Sequence, residues 1–385
     1  MKRITLTLII FCVIIFRSAA QDSLSPHSLN LEGYIKNLNT SFIQDNPYQW
    51  LTENMIHNRL DLKYSHESGF GFHAGLRNRL IYGEFVKYFP AYSSLIDEEK
   101  GWLDLSRMVV NNKYFLLHST IDRLYFDYSK GSFAIRIGRQ RINWSQTFVW
   151  NPNDIFNAYN FFDFDYEIKP GSDAVKMTFY TGAVSQLEAA VKSDYLNRIT
   201  AAAMFRFNHW NYDFQVIGGM MNDKEIVGGA GWSGQLFKGG FRGEASCFYN
   251  NEKEDSNMAV LASIGYEYVF KNSLMLMGEA LYNSQGIKKG TFNLNEFYYH
   301  DLSAKTLSLT QWSFLLMASY PLSPLLSCSF SAMYSPNNPF LFLGPSLSYS
   351  AADNLTVSLN AQAFSGLNTA ENTGGFVFLV FKWGF

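Results

Sequence analysis

Apolar and polar residues alternate one for one in run after run of this chain, from Leu31 to its last residue, Phe385. In the stretch from Ile56 to Tyr64, one face carries Ile56, Asn58, Leu60, Leu62 and Tyr64. The other carries His57, Arg59, Asp61 and Lys63. After the turn Ser65-His66-Glu67-Ser68-Gly69, Phe70, Phe72, Ala74, Leu76, Leu80 and Tyr82 fall on one side. Gly71, His73, Gly75, Arg77, Arg79 and Ile81 fall on the other. Successive side chains of a β-strand point to opposite faces. This period therefore predicts strands with one greasy face and one wet face.

The pattern returns in Leu124–Tyr128 and Phe133–Ile137, then in a succession of similar runs that ends with Gly375–Phe385. With Leu31–Phe42 at the start, the reading gives 18 strands, with 16 as the alternative count. Connections such as Ser65–Gly69, Ser129–Ser132 and Ala351–Asn354 are short, whereas Phe85–Met108, Trp144–Ser172 and Asn283–Leu307 are long. In an up-and-down meander, short and long connections collect at opposite ends, as in outer-membrane barrels. A sheet survives in a bilayer only if it closes, because open edge groups find no water there. The expected fold is thus all-β, a single transmembrane antiparallel barrel without a domain boundary. A secreted sandwich or β-helix is the alternative, but its inward faces would be apolar rather than charged.

Composition narrows the functions. Aromatic residues make up 17% and charged residues 17% of the chain, the latter below the roughly 25% of soluble domains. A formal net charge of −2 excludes a generally basic nucleic-acid binder. Mean hydropathy is −0.09, too polar for a bundle of membrane helices.

Both ends read as addresses. Lys2 and Arg3 precede the 13-residue apolar run Ile4–Phe16, and Ser18-Ala19-Ala20 follows. That is the pattern of a cleaved signal peptide over residues 1–20, too short to span a bilayer as a helix. At the other end Val377, Leu379, Phe381, Trp383 and Phe385 form one apolar row. Such a row suits a lipid-facing closing strand and the signal read by the barrel insertion machinery of Gram-negative bacteria. Cys247 and Cys328 fall on outward faces of non-adjacent strands, so no disulfide is expected between them. No cysteine or histidine spacing suggests a metal, and no cofactor is implied.

By parity the lumen receives Arg59, Lys63, Arg77, Arg79, Arg123, Arg136 and Lys176 from neighbouring strands, a basic patch on one wall. Arg206, Arg242, Glu188, Glu244, Glu267 and Glu279 are more mixed. The alternative is a wall whose charges pair across strands, with Asp61 and Asp127 as partners. Arg139 and Arg141 point outward by strict alternation, unless a bulge turns them in. The connection Trp144–Ser172 joins Trp150, Phe156, Phe161, Phe162 and Phe164 with Asp154, Asp163, Asp165 and Glu167. So many aromatics favour packing inside the barrel over a solvated cap. Acids on that loop opposite a basic wall would form a charged constriction.

Gly138-Arg139-Gln140-Arg141-Ile142-Asn143-Trp144, with Trp150–Asn157 and Lys169–Ala174, resembles bacterial outer-membrane porin-like families. In these, a strand end of this kind leads into a long loop. The resemblance covers about 40 residues and implies a channel without naming its solute. The expected function is passive diffusion of small polar or anionic solutes, by a protein without enzymatic activity, through the outer membrane of a Gram-negative bacterium. Outer-membrane lipid and lipopolysaccharide would surround it, and a homo-oligomer is compatible with it. A non-conducting barrel acting in binding or envelope assembly is the second reading. An outer-membrane hydrolase is the third: His118-Ser119-Thr120 and His66-Glu67-Ser68 supply His/Ser pairs, but no evident orienting acid.

Overall fold

The computed structural model describes residues 27–45, 48–89, 91–158, 161, 169–250, 258–290, 303–367 and 373–385. The expected signal peptide and the loop residues Phe162, Asp163, Phe164, Asp165 and Glu167 lie outside these. The elements in order are β1 (His27–Asp45), β2 (Tyr48–His66), β3 (Phe70–Gly83), α1 (Glu84–Tyr88), α2 (Tyr92–Ile96), β4 (Ser106–Asn111), β5 (Phe115–Lys130), β6 (Phe133–Gln140) and β7 (Ser172–Gly182). Then come β8 (Ser185–Ser193), β9 (Ile199–His209), β10 (Tyr212–Met221), β11 (Glu225–Leu236), β12 (Gly239–Asn250), β13 (Ala259–Val269), β14 (Met275–Asn283), β15 (Trp312–Ser323), β16 (Leu326–Ser335), β17 (Phe340–Ala352), β18 (Leu355–Gly366) and β19 (Thr373–Gly384).

Each strand pairs antiparallel with its neighbours, and β1 pairs with both β2 and β19. Tyr34 stands opposite Gly384 and Gln44 opposite Gly374, while Gly33 and Phe385 exchange backbone hydrogen bonds of 2.9 and 3.0 Å. The ring is closed. Among the described residues it holds 18 strands, as the alternation predicts. The exception is β4, which pairs with β5 alone, at Leu116–Thr120. It occupies the ground beside β5 beyond the short β6, which pairs at Leu124–Lys130. The alternation places no strand here, and the long connection Phe85–Met108 takes in its first three residues.

Strand parity decides what each wall shows. The row Val377, Leu379, Phe381, Trp383 and Phe385 is exposed on the outside, whereas Phe378 and Val380 are buried inside. Phe126, Ile137, Val216, Ile226, Ile264 and Leu316 continue the outer apolar surface. A band of this kind, carried on a closed sheet, suits hydrocarbon rather than water. Tight turns close one end. Trp210-Asn211 and Phe237-Lys238 have positive φ at both positions (52° and 61°, 48° and 70°), the twist-matching geometry of two-residue hairpins. The connections 84–114, 141–171 and 284–311 all leave the opposite end.

The lumen is not evenly wet. Leu38, Met55, Ile81, Leu116, Phe378 and Val380 from the inner faces of β1, β2, β3, β5 and β19 enclose Val86 of α1. The β3–β5 connection therefore folds inward. Alternation sets Ile81 beside Arg77 and Arg79 on the inner face of β3, and His57 and Arg59 on that of β2. The inner apolar residues serve to seat an inward segment, and alternation alone cannot show that.

Candidate functional site: the inward loop and the basic wall

The chain leaves β6 through Gly138-Arg139-Gln140. Gly138 has φ +121°, and a Cβ there would stand 2.2 Å from the Leu124 carbonyl oxygen, so only glycine is at ease. Arg139 keeps its outward parity but is 4% exposed. Its Nε and Nη2 fork onto Asp173 at 2.8 Å each, and Nη1 donates to Glu99 at 2.8 Å. The Leu103 backbone N–H also donates to Asp173, at 2.8 Å. The Glu99–Leu103 segment thus covers the pair, which removes Arg139 from any lipid headgroup. Gln140 donates to the Arg136 and Ala174 carbonyls at 3.0 Å and so pins the strand end.

Beyond Gln140 the chain packs against side chains of the wall strands. Trp144 is fully buried and its indole N–H donates to Glu188 of β8 at 2.9 Å. Ile142, Trp144, Ile155 and Phe156 pack with Ala190, Met204, Ile217 and Phe248 of the wall. Val149 and Trp150 continue this onto Met277, Leu281, Met333, Phe342 and Phe364. Burial of such side chains contributes roughly 1.5–3 kcal/mol each, so the loop is part of the core rather than a flap.

Two wall carboxylates hold the loop backbone. Glu244 of β12 accepts the N–H groups of Gln146, Thr147 (2.8 Å) and Asn153 (2.9 Å). Glu279 of β14 accepts those of Phe148 (3.0 Å), Val149 (3.0 Å) and Trp150 (2.7 Å), and the Ser263 hydroxyl at 2.9 Å. Glycines make the room. A Cβ on Gly229 would stand 2.6 Å from Asn153 Oδ1, and one on Gly265 would stand 2.9 Å from the Phe148 ring. Parity marks Glu244 and Glu279 as inward, but nothing local marks them as loop holders.

Of the expected acids of the loop, Asp154 is the one among the described residues. Asp154 is 1% exposed and accepts from Arg141 Nη2 at 3.0 Å. Burial pushes its carboxyl above the usual carboxylate range, against the pull of Arg141, Lys169 and Lys192. Arg141 is thereby turned inward. Trp150 is buried against the wall, as described.

The basic wall divides into groups with different work. Arg59, 1% exposed, is enclosed by Asp61 (2.5 Å) and Asp122, and His73 Nε2 donates to Asp61 at 2.9 Å. Arg79 donates to the Ile96 carbonyl at 3.0 Å, and Arg123 to the Lys169 carbonyl at 2.6 Å. They tie connections to the wall. Arg77 is buried beside them, and Lys63 lies exposed at the tight-turn end with Glu32 at 2.8 Å. Arg136 and Lys176 stand opposite each other across β6 and β7 and are half-buried. Arg206 and Arg242 are half-buried as well. Arg242 lies 4.1 Å above the Phe148 ring and pairs with Glu267 at 2.5 Å.

His118 lacks the geometry of a general base. Its Nδ1 faces the Arg79 Nη2 donor at 3.1 Å, so Nε2 carries the proton shared with Ser106 (2.6 Å) and Asp97 (3.0 Å). A triad histidine needs a lone pair toward its nucleophile and an acid behind the other nitrogen. His66 contacts Ser68 in an exposed turn.

No protein-family model matches this chain, and no curated protein matches it in sequence. Solved structures do match in shape. Pseudomonas aeruginosa OccK5 (OpdH) aligns with a TM-score of 0.60 at 9% identity, over 92% of this chain and 98% of its own. The outer membrane protein OprD of the same organism aligns at 0.58 and 9%, over 93% of each chain. P. aeruginosa OpdK, solved with vanillate, aligns at 0.57 and 10%, over 92% and 98%. Sequences this far apart share architecture rather than demonstrated specificity. The chain has the fold of these outer-membrane barrels: a closed 18-strand antiparallel wall.

Proposed function

We propose that this protein is an outer-membrane channel of a Gram-negative bacterium that passes small polar solutes by diffusion and favours anions. The observation that carries this reading is the lumen itself. A closed wall of this strand number encloses room for an aqueous path. Inward segments narrow that room from two sides, and Arg136 and Lys176 stay half-exposed on β6 and β7, Lys176 with Glu188 at 3.5 Å. Fixed cations at a narrowing favour anions. The vanillate in OpdK is a small carboxylate held by a barrel of the same fold, which supports the solute class. No chemical step and no cofactor enter this function. The expected site set remains Arg59, Lys63, Arg77, Arg79, Arg123, Arg136 and Lys176 on the basic side. Within it, Arg136 and Lys176 meet the solute, while Arg59, Arg79 and Arg123 shape the wall. The outward C-terminal row would serve the insertion machinery and the surrounding lipid.

The test is single-channel conductance and reversal potential of the folded protein across a salt gradient. Discrete steps with anion preference, reduced when Arg136 and Lys176 are both changed to Gln, are expected. Silence from folded protein would overturn the open channel. The reading would then be a plugged barrel acting in binding or envelope assembly, since three long connections leave the same end.

A further inference from the structure

We infer that Glu244 and Glu279 are positioning residues that set the bore by gripping the inward loop, an inference that rests on the channel reading. Each carboxylate accepts three backbone N–H groups from one short stretch: Gln146, Thr147 and Asn153 at Glu244, and Phe148, Val149 and Trp150 at Glu279. Both side chains are buried, and among the described residues neither forms an ion pair. A buried carboxylate without a cation is costly to keep. Convergent N–H donors offset that cost, because hydrogen bonds to an ionised acceptor are the strong ones.

The rest of the wall is shaped to the same purpose. Gly229 and Gly231 leave space for the Asn153 side chain, and Gly265 for the Phe148 ring. Arg242 of β12 then lies over the Phe148 ring at 4.1 Å. A glutamine at either position keeps one acceptor oxygen but turns an N–H₂ toward N–H donors. Such a loop loses its fixed height while its apolar anchors, Trp144 and Trp150, stay with the wall. The bore widens and fluctuates without loss of the barrel.

The experiment compares the full-length folded wild type with Glu244→Gln, Glu279→Gln, the double variant, deletion of residues 145–153, and Glu32→Gln as control. Glu32 pairs with Lys63 at the tight-turn end and touches no loop. Folding is read from heat-modifiable gel mobility, and the bore from single-channel conductance and flicker. The expected result is raised, noisy conductance in the Gln variants, with Glu32→Gln unchanged. The deletion, which removes Trp150 as well, should raise conductance at least as far as the double variant and abolish the flicker. A silent wild type whose Gln variants conduct would support the grip and overturn the open resting channel. Gln variants with wild-type conductance and noise would overturn the inference. So would silence of the double variant when the deletion conducts, or failure of every Gln variant to assemble when the deletion assembles.

Discussion

The side-chain oxygen of Asn153, in the inward loop, lies 2.6 Å from where a Cβ on Gly229 of β11 would stand. Asn153 also donates to the Ala230 carbonyl at 3.0 Å and accepts from the Ser246 hydroxyl at 2.7 Å. Gly229→Ala should therefore push the loop off its seat. The expected cost is about 1–3 kcal/mol, as for other overpacked sites, read as a lower unfolding midpoint of the folded barrel. Gly228→Ala, where a Cβ meets nothing within 4 Å, should leave the midpoint unchanged. Equal effects at the two positions would refute the seat.

Arg139 and Asp173 are each about 4% exposed in their side chains. Removing one member leaves a buried charge uncompensated, at a cost of about 3–5 kcal/mol. Asp173→Leu is expected to free the Glu99–Leu103 segment as well, because the Leu103 N–H then loses its acceptor. Limited proteolysis should then cut near Lys100 in the variant and not in the wild type. Replacing both residues with Met and Leu should recover most of the stability.

Lys169, in the loop, has its ammonium pushed down to about 8, chiefly by burial and then by Arg141, with Asp154 opposing. Its folded value lies below the ordinary lysine value, so folding disfavours the charged form. That penalty is complete below pH about 8 and is relieved as pH rises toward the unfolded value near 10.4. Functionally, Lys169 carries most of its positive charge at pH 7 and little of it at pH 9. Anion preference, measured as reversal potential, is expected to fall across pH 7–9 in the wild type and to show a smaller change in Lys169→Met. Identical titrations would remove Lys169 from the path.

Cys247 is exposed on the outer row of β12. In a Cys328→Ser background, a nitroxide on Cys247 in vesicles should be relaxed by oxygen, which concentrates in hydrocarbon. A water-soluble nickel complex should relax it little. Stronger relaxation by nickel would place this wall in water and contradict the membrane-spanning orientation.

How much of the site was legible varies by residue. Two-residue alternation carries straight through β6 and β7, and the register sets Arg136 opposite Lys176. Trp150 was readable as packed, because an aromatic-rich connection of that length finds its apolar partner inside the ring. Arg139 was not. Its parity is outward, and its burial depends on Glu99, forty residues earlier in the chain. Asp154 read as a constriction acid, yet it is buried against Arg141. Glu244 and Glu279 read as ordinary inward charges, because their partners are backbone groups that sequence does not distinguish.

Alternation, turn residues and the length of the connections were enough to specify a closed barrel of 18 strands and its two unlike ends. A period of two is a local property of the backbone, and closure follows from leaving no edge unpaired. Which inward residues meet solute and which hold inward segments is another matter. It depends on contacts such as Trp150 with Glu279, 129 positions apart. Those contacts exist only once the wall has closed and the connections have folded into it, because only then do distant strands present their inner faces to the same loop.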